Sequence, residues 1–167
     1  MLKNSQISLN INKMPNFQQW KKSNNGDFSI FDYLGAVGNM ELVIALTKLF
    51  YPDVVEHEGG IFLAETFQPE IYEQWKAQLE NMNEIERVMN HLHLDDLFSD
   101  VEEVGIENLY YLGQTLQKMW ELRLQSLYPQ QEFKVLCNLD TEAETVVLTF
   151  SSVRFLSSSL RFATASP

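Results

Sequence analysis

The chain has 167 residues and a mass of 19.4 kDa, a length that suits one domain able to bury about 70% of its unfolded surface. Hydrophobic residues make up 45% and charged residues 21%, with 7 Gly and 5 Pro, which excludes a wholly disordered, collagen-like or low-complexity chain. The formal charge of -11 is concentrated in one block: residues 53–107 hold fifteen acidic residues against two basic ones, whereas residues 1–52 hold three against five and residues 108–167 five against five. Such a field repels a phosphate backbone and an anionic membrane surface, so nucleic acid and membrane are not expected partners; a basic protein is attracted.

From the N-terminus, Ile7, Leu9 and Ile11 alternate with polar residues and predict a short strand. Lys21 to Gly26 reads as a loop, after which Asp27 or Ser29 is expected to cap a short helix stopped by Gly35. Gly38 and Asn39 break the chain again, and Asn39 is a good cap for a helix over 40–50. That helix is apolar at nearly every position from Leu42 to Leu46, then at Leu49 and Phe50, a pattern expected of a buried helix; Pro52 ends it.

Val54-Val55 and Ile61 to Ala64 flank Gly59-Gly60, the signal of a hairpin over 53–66 with the glycine pair at its turn. Pro69 and Glu70 open the next helix, with Ile71, Trp75 and Leu79 as its apolar stripe. Asn83 is expected to cap a further helix bearing Ile85, Val88, Met89 and Leu92, and Asp95-Asp96 and Ser99-Asp100 mark a loop. On this reading the carboxylates of Glu70, Glu73, Glu80, Glu84 and Glu86 turn outward.

The strongest periodicity runs over about 106–128, where Leu109, Leu112, Leu116, Met119, Trp120, Leu124 and Leu127 share one face. A helix of that length spans roughly 34 Å and is the natural centre of the fold. Phe133 to Cys137 and Thr145 to Phe150 have strand composition around a turn at 140–143, giving a second hairpin over 132–151. The fold class is therefore α+β: one domain over 1–167, with helices around the 106–128 helix and two antiparallel hairpins, and with loosely packed ends at about 1–15 and 157–167.

Two groups of residues point to chemistry. His91, His93, Asp95 and Asp96 form the densest set of metal-ligand types, and His57, between Glu56 and Glu58, joins them if the first hairpin folds over that turn. No HExxH or CxxC motif is present, so these residues are weak catalytic candidates and no metal or cofactor is expected. Arg123 projects into the apolar stripe of the long helix, where a guanidinium must snorkel out, meet a carboxylate or bind an anionic ligand.

Tyr110 and Tyr111 lie off that stripe and serve either as interface residues or as cover under the second hairpin. Gly35 to Gly38 lacks the residues of a phosphate loop, and Ser157 to Ser159 lacks a nucleophile motif. Cys137 is the sole cysteine, no signal sequence or apolar run near 20 residues is seen, and a reducing cytoplasmic setting is expected.

The functional expectation is a non-enzymatic interaction protein. Its acidic face, with Glu73, Glu80 and Glu84, meets a basic protein partner, and a homo-oligomer is a further option. Antitoxin and immunity proteins in general work by such charge complementarity. The alternative is a small metal-dependent hydrolase built on His57, His91, His93 and nearby carboxylates.

Overall fold

Leu109, Gly113, Leu116, Trp120 and Leu124 recur at three- and four-residue spacing and are the buried face of the 22-residue helix that centres the fold. The structure is a computed structural model and describes residues Met14–Arg154; the alternating segment at Ile7 to Ile11 and the serines at 157–159 lie outside it. In chain order the elements are α1 (Pro15–Ser23), α2 (Ile30–Val37), α3 (Met40–Phe50), β1 (Val54–His57), β2 (Gly60–Leu63), α4 (Pro69–Lys76), α5 (Met82–Met89), β3 (Leu92–His93), α6 (Val101–Val104), α7 (Ile106–Leu127), β4 (Phe133–Asp140) and β5 (Thr145–Ser152). The fold is α+β.

α7 lies on a three-stranded antiparallel sheet of order β3-β5-β4. β4 and β5 form a hairpin in register from Phe133 opposite Ser152 to Asp140 opposite Thr145. The Asp140 carboxylate accepts the backbone N–H groups of Glu142 and Ala143 and so shapes its turn. Leu94, Val135, Val146, Leu148 and Phe150 meet the α7 stripe in the main core. Gly113 sets how close helix and sheet approach: a Cβ there would lie 2.6 Å from the Cys137 sulfur and 3.0 Å from Val146. Of the predicted stripe, Leu112 and Met119 are only half-buried, and Leu127 is exposed.

The first hairpin, β1–β2, is a separate two-stranded sheet. Its turn is Glu58-Gly59, with φ of 47° and 79°, the double left-handed geometry of a type I′ loop, and not the Gly59-Gly60 pair. Gly60 lies in the strand opposite His57, where a Cβ would sit 2.7 Å from the Met82 sulfur and 2.6 Å from the Phe62 ring. α4 and α5 cover this hairpin through a smaller core of Phe62, Tyr72 and Ile85. Trp75 and Leu79 of the predicted α4 stripe pack on this core as expected, but its first position is filled by buried Tyr72, while Ile71 is exposed. The cap of α5 is Asn81, whose side chain accepts from the Glu84 N–H, rather than Asn83, and Leu92 lies on β3 beyond the helix.

The two sheets share no strand pairing; side chains from α5 and its C-cap tie them together. Glu86 and Asn90, both with 0% exposure, stand between them. Glu86 accepts hydrogen bonds from Ile61 N (2.9 Å), Ser152 N (2.7 Å) and the Ser152 hydroxyl (2.6 Å). The amide of Asn90 accepts from Leu63 N and donates to the carbonyls of Ile61 and Phe150. The expectation that Glu86 turns outward is thus corrected: burying a carboxylate is costly unless it is saturated with donors, and here strand ends on both sides supply them.

Upstream of the cores, the fold departs furthest from expectation. α1 continues through Lys21, Lys22 and Ser23, so the predicted loop is confined to Asn24 to Gly26. Ser29 and Asp32 form a reciprocal capping box at the start of α2, which passes through Gly35 and ends at Gly38. Asn39 caps α3 as expected. Yet α3, predicted to be buried, has no buried residue, and neither has α2.

Candidate functional site

α1, α2 and most of α3 form an arm. It has its own small aromatic cluster: Phe17 is buried against Phe28 and, edge-on, Tyr33, while Trp20 stacks on Phe28 at 5.8 Å. Beyond that cluster the arm is open. Phe31 and Met40 are each 80% exposed, and Leu34, Val37, Leu42, Val43 and Ile44 range from 48% to 62%. The two helices carrying these residues are bent relative to each other by 119° at Gly38-Asn39, a sharp V. No single helix among the described residues is long and apolar enough to cross a membrane.

The root of the arm is firmly held. Leu49 and Phe50, at the end of α3, pack on the main core, and the Trp120 indole donates to the Leu49 carbonyl at 2.8 Å. Arg123 stacks 4.0 Å over the Tyr51 ring and donates to the Pro52 carbonyl. It also lies 3.8 Å from Asp53, which pairs with Lys48. Lys48 holds the Asp53 carboxyl below the usual carboxylate range. Arg123 therefore serves as a structural pin between α7 and the end of α3, resolving its intrusion into an apolar stripe.

The three histidines fall into two places. His57 packs on Phe67 and, edge-on, on Tyr72, and its ring joins Glu58 and Glu73 as the one group of potential metal ligands among the described residues, their donor atoms within 4.8 Å of one another. The ammonium of Lys76 already stands in that group, 2.5 Å from Glu58 and 3.9 Å from Glu73. Together with the Tyr72 hydroxyl it holds Glu58 below its ordinary range. Burial and the bond to Glu58 push the Tyr72 phenol up.

His91 and His93 face each other instead, Nε2 to Nε2 at 3.1 Å, next to an open depression lined by Arg87, Val88, Leu136 and Thr149. Burial, then the charge of His93, lowers the His91 pKa. Asp95 is committed to the backbone, accepting from Val146 N at 2.9 Å, and Asp96 is exposed. Neither His91, His93 nor these aspartates belong to the His57 group.

Among the acidic candidates, Glu73 and Glu80 are exposed and Glu84 is half-buried on the first turn of α5. Tyr110 and Tyr111 are half-buried, with Tyr110 packed against the main core. Cys137 is half-buried, and burial pushes its thiol up to about 11, which leaves it a poor nucleophile near neutral pH.

Phe31, Leu34, Val37 and Met40 were not singled out by the sequence. The available signal is the apolar character of α3 on every side, which requires cover without saying where that cover comes from. No protein-family model, no curated protein and no solved structure matches this chain.

Proposed function

We propose that the protein is a non-enzymatic interaction protein whose contact surface is the apolar V of α2 and α3. The observation that supports this is the exposure, between 48% and 80%, of seven large apolar side chains over Phe31 to Ile44. Soluble monomers seldom leave a contiguous apolar patch beyond about 300–600 Å² uncovered, and such patches are often functional. The acidic block over 53–107 provides the second feature, an electrostatic field that draws cationic partners and repels nucleic acid, as in inhibitory proteins of the antitoxin or immunity kind. A cytoplasmic setting, in which Cys137 stays reduced, belongs to the same proposal. Metal-dependent hydrolysis has less behind it, because the histidines divide into two places and Lys76 takes the cation position beside His57.

The test is a photoreactive benzoylphenylalanine placed at Ile44 in cells that make the protein, with the same residue at exposed Gln125 on α7 as the control. A discrete cross-linked adduct from position 44 and none from 125 is the expected result. Absence of any adduct at 44 rules the proposal out.

A further inference from the structure

We infer that the occupant of the apolar V is a second copy of this chain, docked arm to arm about a two-fold axis. This rests on the reading of the V as a contact surface and names what covers it. Three observations select a second copy over other occupants.

The first is area. Seven side chains exposed by 48% to 80% present on the order of 700 Å² of largely apolar surface. A stable standard interface buries about 800 Å² on each partner, so one V meets another at the size a dimer needs.

The second is charge. Over residues 14–52 the chain carries Lys21, Lys22 and Lys48 against Asp27, Asp32 and Glu41, a balance of zero, whereas 53–107 is strongly acidic. Two copies repel through their acidic blocks, and the arm is where they meet without that penalty. A cationic partner is drawn to the block instead of the arm.

The third is shape. α2 and α3 are apolar on several sides, so one flat partner leaves part of each uncovered; two interleaved Vs make four helices that cover one another. A bilayer fits less well. Taken together α2 and α3 have the length and composition of a bent membrane-entering pair. Singly, however, they are about 12 and 16 Å long against a hydrocarbon core near 30 Å, they fold back at 119°, and Asp32 and Glu41 lie within the V.

Analytical ultracentrifugation of the purified full chain tests this, from 0.1 to 100 μM as a roughly thousand-fold range that brackets usual dimer affinities. The expected species at the upper end has twice the 19.4 kDa chain mass. Phe31→Asp and Ile44→Asp should each weaken the dimer by at least about 10-fold, and together by about 100-fold. Because both side chains are exposed within the chain, the circular dichroism of the dilute monomer stays unchanged, and Met40→Asp gives a third, independent variant. Raising NaCl should tighten the dimer by screening the acidic blocks, the reverse of its effect on a charge-steered complex.

A single species of chain mass throughout, or a dimer indifferent to all three substitutions, overturns the inference. So does flotation of the protein with phosphatidylcholine–phosphatidylserine vesicles that the two Asp substitutions abolish. An Ile44 cross-link whose mass is not twice that of the chain overturns the second copy while leaving the V as a contact surface; no cross-link at all removes both.

Discussion

A carboxylate with no exposed surface sits where the β1–β2 hairpin and strand β5 come together. Glu86 receives donors from Ile61 and from both polar groups of Ser152, and Arg154 approaches to 3.3 Å. Removing it strands buried N–H groups on two different strands. Glu86→Ala is expected to cost about 3–5 kcal/mol in urea denaturation. Glu86→Gln keeps one acceptor but turns an NH₂ toward a donor, for a loss of about 1–3 kcal/mol. An unchanged unfolding midpoint for Glu86→Ala would contradict the structural role. His91 offers a titration test. Its folded pKa lies below 6.5, first because it is partly buried and then because His93 faces it. The neutral ring is favoured in the folded chain, so the unfolded chain takes up the proton first as pH falls. The contribution of His91 to stability is thus whole above 6.5 and is lost as pH falls through the folded pKa. Proton NMR should place its midpoint below 6.5, and His93→Gln should move it only part of the way back; a midpoint above 6.5 refutes the assignment.

Helix α7 depends on two residues for its place. Trp120, 1% exposed, fills the main core and holds the end of α3 through the Leu49 carbonyl. Trp120→Ala should cost about 3–5 kcal/mol by thermal melting. Trp120→Phe keeps most of the volume and drops the hydrogen bond, so amide exchange should rise in α3 ahead of the β4–β5 hairpin. Gly113→Ala tests the helix–sheet approach. Alanine favours a helix by about 1 kcal/mol over glycine, but the new methyl meets Cys137 and Val146, and a net loss of about 1–3 kcal/mol is expected. A stabilised Gly113→Ala variant would show that α7 has room to shift. These elements also show what was legible beforehand. α7, the β4–β5 hairpin and the Asn39 cap follow from local periodicity and capping, which neighbours do not alter. The Glu58-Gly59 turn was missed because a Gly-Gly pair outranks Glu-Gly by propensity, whereas Gly60 is needed in the strand beside Met82. Glu86 was missed because periodicity ranks a carboxylate as exposed and says nothing of donors that arrive from residues 61 and 152. The exposed face of α3 was missed because hydropathy registers the need for cover but not its source.

At the scale of the whole molecule, charge and apolar surface are kept in different stretches of chain: the arm is neutral and apolar, and the block behind it is acidic. Repulsion within that block is screened by salt over about 8–10 Å. Between 0.05 and 0.5 M NaCl, at protein concentrations too low for association, the melting temperature should rise by about 2–4 °C. Replacing Glu73, Glu80 and Glu84 with Gln should flatten that rise; a salt response unaltered by the triple substitution would show that these carboxylates do not form one repulsive surface. The shared carboxylate between the two sheets also bears on how the chain is made. Glu86 leaves the ribosome 66 positions before Ser152, and Asn90 leaves 60 positions before Phe150. Until the last of these strands is released, α5 carries an acid that has the Ile61 N–H but lacks both donors of Ser152, and water takes their place. The two sheets therefore join late, only after Ser152 has been made. A ribosome that stalls or terminates just short of Ser152 releases a chain with nearly all of its hydrophobic residues and no means of closing around Glu86, a natural client for proteolytic clearance.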